Sequence, residues 1–375
     1  RMEEDSRDCH FMTPKGWCGL QEEFGEGVLG DVCYAYPRQL KRFGTRVELT
    51  GSLGCPEVVR GALLDEDGCE WEGVEEIEMS RQVFTKRTLH TDTSPYVASL
   101  DLVREVFQAV VNVREVSLQA RLLSLGMLGA RLRTEFNENA RGQRANAALH
   151  EGISRLLQPQ ELLDAQRFLE GAQVNMGTLA SLMQRLVSVS ASGTEFDRFR
   201  RLSKEVVNSF LTFAQYDGID DDASSFEVPT SVLFSSYFTL SRWLQGHLSS
   251  MTHDIERRFC SHYINSHWHT ECPDLFLYLQ RLVIEVTLMR FLCVGHPNIL
   301  AFLKTHDVDL ENLPQTLSAA QHAELEALWA EVYIDVVHLL ARSTEHSPST
   351  LSELDEAMME TGLQPMAALT YLLKL

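Results

Sequence analysis

Thirteen consecutive residues, CSHYINSHWHTEC from 260 to 272, hold the densest set of metal-ligating side chains in the sequence: Cys260, His262, His267, His269 and Cys272. Zinc needs four nitrogen or sulfur ligands converging tetrahedrally. His267, His269 and Cys272 on a loop would supply three of them, and Cys260 is the candidate for the fourth. Cys293 and His296 could lie nearby. The spacing matches no standard zinc finger, and on a helix Cys260 and His262, two residues apart, would face different directions. The competing reading is a helix-to-helix turn with partly buried cysteines and exposed histidines.

A second stretch, GEGVLGDV from 25 to 32, places Gly25, Gly27 and Gly30 in the G-x-G-x-x-G spacing that cradles phosphates. A dinucleotide fold needs an apolar strand before the glycines and a helix after them. Here GLQEEF precedes, and Pro37 interrupts any early helix that follows. A protein-kinase glycine loop fits better through Val32, yet the kinase V-A-I-K, H-R-D and D-F-G motifs are all missing. With no metal-binding Asp and no catalytic base, the stretch reads as a glycine-rich turn.

Other patterns point to surface rather than chemistry. Asp217, Asp220, Asp221, Asp222 and Glu227 suggest calcium, but the ligand order of an EF-hand is wrong and an exposed acidic loop is expected. LGCPE (53–57) fits a five-residue peptide-ligand pattern by chance. His322 and Glu324 form half of a zinc-deaminase motif whose cysteine half is missing. No G-x-S-x-G, H-E-x-x-H or C-x-x-C occurs, so no catalytic residue is assigned.

The elements that would position these residues change character near Pro95. Before it, TRVELTG (45–51), EVVRGALLD (57–65) and EWEGVEEIEMS (70–80) read as β-type runs separated by turns, a small meander. After it the apolar period is helical to the C-terminus. The expected organisation is therefore a small mixed or β region over 1–95 and an all-α region over 96–375. The fold class is mainly α: an α-solenoid or a layered bundle of helical hairpins. A single long helix is predicted from Ser99 to about Phe136, bent near its middle. Pro159 opens a helix that Gly171 can end, Pro365 starts the last one, and Ser318 with Gln321, Thr350 with Glu353 and Thr194 with Asp197 resemble capping pairs. Leu275 to Val294 is long enough to span a membrane, but Arg281, Glu285 and Arg290 within it make a buried core helix the better reading.

Composition narrows the classes further. With 33 Lys and Arg against 53 Asp and Glu, the net charge of −20 repels nucleic acid and anionic membranes and selects basic protein surfaces. The eight cysteines, at 9, 18, 33, 55, 69, 260, 272 and 293, form no tight framework, which favours a reducing, cytoplasmic setting. The opening RMEEDSRDCHF has neither a signal-peptide nor a transit-peptide character and reads as the start of a fragment.

The helix SLDLVREVFQAVVNVREVSLQARLLSL resembles one in the cytosolic helical region of inositol-trisphosphate and ryanodine receptors, through Glu105, Gln108, Asn112-Val113-Arg114 and Leu122-Leu123. FLCVGHPNILAFLK is similar to the RIH-associated segment of that family, through Leu292-Cys293, His296, Leu300 and Phe302-Leu303. The resemblance implies an armadillo-like scaffold in the coupling region of a calcium-release channel, on the cytosolic face of a calcium store. The expectation is a non-enzymatic protein-interaction module with no cofactor, binding other proteins and neither nucleic acid nor membrane. The alternative is an all-α metal-binding protein or enzyme that uses zinc at the Cys260–Cys272 cluster.

Overall fold

The computed structural model describes residues 9–15, 17–43, 46–75, 84–86, 99–138, 143–192, 197–216, 230–271, 274–308, 317–345 and 348–375. The acidic stretch 217–227, Thr194 and Cys272 lie outside them.

The N-terminal elements are short. Helix α1 (Gly19–Phe24), a 3-10 turn (Glu26–Val28) and α2 (Asp31–Ala35) lead into strands β1 (Arg38–Phe43) and β2 (Arg46–Gly51), then α3 (Pro56–Leu64) and β3 (Phe84–Lys86). The sheet order is β2-β1-β3. Strands β1 and β2 form an antiparallel hairpin, whereas β1 and β3 run parallel, so the sheet is mixed rather than a meander. Lys41 on β1 stands opposite Glu48 on β2, and both are buried.

Of the three runs expected to be strands, only the first is one. EVVRGALLD forms α3, because Pro56 occupies the first helical position and Val59, Ala62 and Leu63 recur at the helical interval on the buried side. Packing thereby overrides the strand preference of its valines. Residues 70–75 carry no regular structure, and 76–80 lie outside the described residues.

Helices follow: α4 (Leu100–Val111), α5 (Leu118–Glu138), α6 (Gln143–Leu156), α7 (Pro159–Gly171), α8 (Met176–Ser192), α9 (Asp197–Phe213), α10 (Thr230–Glu271), α11 (Leu275–Val294), α12 (Pro297–Thr305), α13 (Ala319–Glu345), α14 (Pro348–Met359) and α15 (Pro365–Leu373). The predicted long first helix is thus two. The chain breaks over 112–117, where Asn112 Nδ2 donates to the Gln108 carbonyl and Ser117 Oγ accepts from the Ala120 amide to start α5. The predicted starts at Pro159, Ser318–Gln321 and Pro365 hold. Ser318 and Gln321 exchange both capping bonds, at 2.9 and 3.3 Å. Thr350, by contrast, falls inside the first turn of α14, which opens at Pro348.

Helix α11 is apolar on almost every side and is the axis of the fold. It packs against α5, α8, α9, α10, α13, α14 and α15. A solenoid unit touches only its neighbours in sequence, so this arrangement is a layered bundle. The stretch Leu275–Thr305 is long and apolar enough to cross a membrane, yet 72% of its apolar 18-residue window is buried inside the protein.

Helix α10 runs 42 residues and departs from helical geometry at Leu248, with φ −124° and ψ 16°. Gly246, Ser249 and Ser250 flank the kink, the residue types at which helices break. His322 Nε2 on α13 lies 3.0 Å from the His247 carbonyl oxygen and satisfies it at the kink.

A polar cleft beside the kinked helix

Alongside the kink, with α10 residues from both sides of Leu248 in its lining, lies a cleft of about 180 Å³ between α10, α13, α11 and the start of α5. Leu244, Val294 and Trp329 give it apolar walls, while Ser241, Gln245, Ser249 and Thr252 add hydroxyl and amide groups.

Its floor is an ion pair. Arg290 Nε and Nη2 donate to the two oxygens of Glu256 at 2.7 and 2.6 Å, and the Tyr333 hydroxyl lies 3.5 Å from the same carboxylate. Both partners are nearly enclosed, at 11% and 5% side-chain exposure. Burial works against the charge on Arg290, but the Glu256 carboxylate and its two hydrogen bonds outweigh it and hold the guanidinium above its ordinary range. Burial pushes the Tyr237 phenol up to about 12, and Tyr333 rises for the same reason, reinforced by Glu256. Both hydroxyls therefore stay protonated and act as donors; Tyr237 donates to the Leu375 carbonyl oxygen at 3.2 Å. Trp329 Nε1 donates to Thr252 Oγ1 at 2.9 Å, fixing the indole at the rim.

Arg121 supports the other side. It is fully buried, donates to the carbonyls of Val111 and Ser117, and places Nη2 2.9 Å from His253 Nε2. A guanidinium only donates, so His253 accepts on Nε2 and is neutral. Burial, then the Arg121 charge, lowers the His253 pKa in agreement. Arg121 itself falls to about 10 through burial. The cleft thus rests on the break between α4 and α5, which supplies the Val111 and Ser117 carbonyls.

The His/Cys cluster lies elsewhere, on the last turns of α10, which continues as helix through Glu271 where a turn was expected. Cys260 is buried, and burial pushes its thiol up to about 12. The His262 ring contacts the Gly51 carbonyl oxygen at 2.9 Å. His267 stacks on Tyr263, with ring centroids 4.6 Å apart, and lies 3.7 Å from Glu345. Seven residues along a helix separate Cys260 from His267 by about 10 Å, several times a zinc–ligand bond. His269 is in the final turn of α10. Among the described residues no three His, Cys, Asp or Glu side chains are placed to hold a metal ion. Cys293 is buried on α11, and His296 caps α12.

The glycine motif forms no phosphate cradle. No described strand precedes it, Gly25 adopts φ +77°, and a Cβ at Gly25, Gly27 or Gly30 would meet open space. His322 and Glu324 lie on α13, engaged with the His247 carbonyl and with His306.

A helical bundle with an ion-paired cleft between its helices, with no doubly wound sheet among the described residues, is the class of protein that these observations define. Residues 104–372 match the family model of the FliB lysine N-methylase C-terminal domain. The match spans well over half of the chain, which therefore belongs to this family. No curated protein and no solved structure matches it.

This membership overturns the resemblance to calcium-release channels, and with it the scaffold, the calcium-channel role and the store-membrane location. It also overturns the expectation of a non-enzymatic protein, since the family is one of lysine N-methylases. The resemblance arose because amphipathic helices share a residue pattern. Leu122 and Leu123 are core residues, Gln108 donates to the Ser261 carbonyl and to Asn265, and the gap-free likeness runs straight across the break at 112–117. Between the two expected alternatives, an all-α enzyme is the one the family favours.

Proposed function

We propose that this chain acts in the N-methylation of lysine side chains on a protein, and that the cleft beside the α10 kink receives the lysine. The family match over residues 104–372 carries the reading, and the chemistry of the cleft supports it.

A cleft with apolar walls, aromatic faces and hydroxyl groups suits a side chain with an aliphatic stem and an amine tip. Leu244, Val294 and Trp329 would flank the stem, with Tyr333 and Glu256 near the nitrogen. Methyl transfer needs the neutral amine, whose lone pair forms the new carbon–nitrogen bond as the methyl donor's bond to that carbon breaks and the donor departs with its electron pair; the methylated ammonium then releases its extra proton to solvent. Because Arg290 already neutralises Glu256, desolvation is the stronger influence on an amine entering the cleft and favours loss of its proton. Small-molecule sites usually measure roughly 300–1,000 Å³, so a cleft of about 180 Å³ does not fit a methyl donor alongside the lysine. The cleft is read as the amine side of the reaction only.

A lysine-bearing substrate is also the basic protein partner that a net charge of −20 would attract. Free thiols at all seven described cysteines suit a cytoplasmic setting.

Incubating the purified protein with an isotope-labelled methyl donor and lysine-rich acceptor proteins should yield methyl-lysine detectable by mass spectrometry. Trp329→Leu and Tyr333→Phe should each slow the reaction by about tenfold, the loss of one packing or hydrogen-bond contact to the lysine. Failure to label any acceptor from a total protein extract would overturn the proposal.

A further inference from the structure

His253, on the wall of the cleft, is held in one protonation form by a residue outside it. Arg121 Nη2 lies 2.9 Å from its Nε2 and can only donate, so the lone pair is on Nε2 and, in the neutral ring, the proton is on Nδ1. Burial and the Arg121 charge both favour the neutral ring. Arg121 is itself held in place by the Val111 and Ser117 carbonyls.

Nδ1 of His253 has no protein partner among the described residues, and it is not one of the enclosed unpaired atoms. It is therefore a donor open to a ligand. The proton on Nδ1 removes two common tasks of a histidine. With Nε2 engaged, the ring has no free lone pair to bind a metal ion or to take a proton from the amine. What remains is to donate one hydrogen bond to an acceptor.

Its position along the cleft says which acceptor. The cleft runs along one face of α10, from exposed Gln245 and Ser249 past His253 to buried Glu256. His253 precedes Glu256 by three residues, about 4.5 Å along the helix axis. The five bonds of a lysine from Cα to Nζ span roughly 6 Å. A lysine whose nitrogen reaches the level of Glu256 thus carries its own main chain near the level of His253, where the acceptors that every peptide supplies are its carbonyls. Gln119, on the α5 wall with no protein partner among the described residues, holds both a donor and an acceptor for the adjoining amide.

Resting on the reading of this cleft as the lysine site, we propose that His253 is a substrate-binding residue whose Nδ1–H donates to a main-chain carbonyl beside the acceptor lysine. The cleft thereby selects lysine within a peptide over a free alkylamine, and Arg121 is the positioning residue that fixes the tautomer.

Titration calorimetry on the intact protein tests it with two probes: Nα-acetyl-lysine N-methylamide, which has both flanking amides, and n-pentylamine, which has the side chain alone. The capped lysine should bind about fivefold tighter, and His253→Phe should remove that advantage while leaving n-pentylamine unchanged. A merely structural role would weaken both probes alike. Because His253→Phe leaves Arg121 Nη2 without its acceptor, the parent protein supplies a second readout. With nitrogen-15 histidine, the His253 ring should show the Nδ1–H tautomer, and that nitrogen resonance should shift with the capped lysine and not with n-pentylamine. The inference falls while the lysine cleft stands if both probes bind the parent protein equally well, if the His253 proton is on Nε2, or if His253→Phe keeps the preference or weakens the two probes alike. If neither probe binds, the lysine cleft falls and the inference with it.

Discussion

His262 lies on α10 with its ring buried against the Gly51 carbonyl, and burial, with a contribution from Lys41, lowers its pKa from 6.5 to about 4. The folded protein therefore resists a proton that the unfolded chain accepts. Above pH 6.5 both states are neutral at this site and its contribution to stability is complete. As pH falls from 6.5 towards 4 the unfolded state binds the proton first, and about 3 kcal/mol is lost. The thermal midpoint of the parent protein should fall across that window, and less steeply in His262→Gln, which keeps a side-chain donor without a titrating ring. Equal slopes for the two proteins would count against this account. The same residues show where sequence reading stops. A dense His/Cys run looks like a ligand set, but whether its members converge depends on the backbone between them, and here one helix spaces Cys260 and His267 apart. The cleft left a fainter signal: charges at 285 and 290 within an apolar helix mark buried pairs, although the partner, Glu256, lies 34 residues away.

Helix packing was legible wherever the sequence carries its own punctuation. Pro159, Ser318 with Gln321 and Pro365 mark starts through local backbone chemistry, and the all-round apolar α11 announces its own central place. Boundaries decided by distant contacts were not legible. The break at 112–117 is held by Arg121, which gathers the Val111 and Ser117 carbonyls from across a turn, and α3 is helical because one side of it packs on α10 and α13. Close approach is another such property. Gly129 on α5 faces α11 so closely that a Cβ would stand 3.0 Å from Phe276 N and Cα. Backbone atoms cannot move aside as a side chain does. Gly129→Ala should therefore destabilise the protein by about 1–3 kcal/mol of overpacking, less up to about 1 kcal/mol regained from helix propensity. A lowered urea midpoint with an unchanged m-value would show it, whereas a raised midpoint would mean that the two helices can separate freely.

Across the whole molecule, the N-terminal elements complete the bundle. Glu48 on β2 accepts two bonds from Arg104 on α4 at 2.9 and 3.0 Å, the Leu63 carbonyl accepts from Arg258, and the Cys69 carbonyl accepts from Asn265. Deleting residues 1–98 would strip these buried groups of their partners, each at about 1–3 kcal/mol. The truncated chain should unfold at a clearly lower temperature and bind an apolar dye; an unchanged midpoint would show that the helical part stands alone. Function was the least legible level: the cleft proposed for the lysine is assembled from α5, α10, α11 and α13, and no short motif spans them.

The bend at Leu248 gives this arrangement a mechanical character. The stretch of α10 before it is anchored to α9 through Ser236 and the Phe210 carbonyl, while the stretch after it is moored to α3, β2 and α4 through Arg258, His262 and Trp268. A straight rod would transmit force end to end without changing shape. A jointed one yields first at its bend, and that bend lies against the cleft proposed to take the lysine.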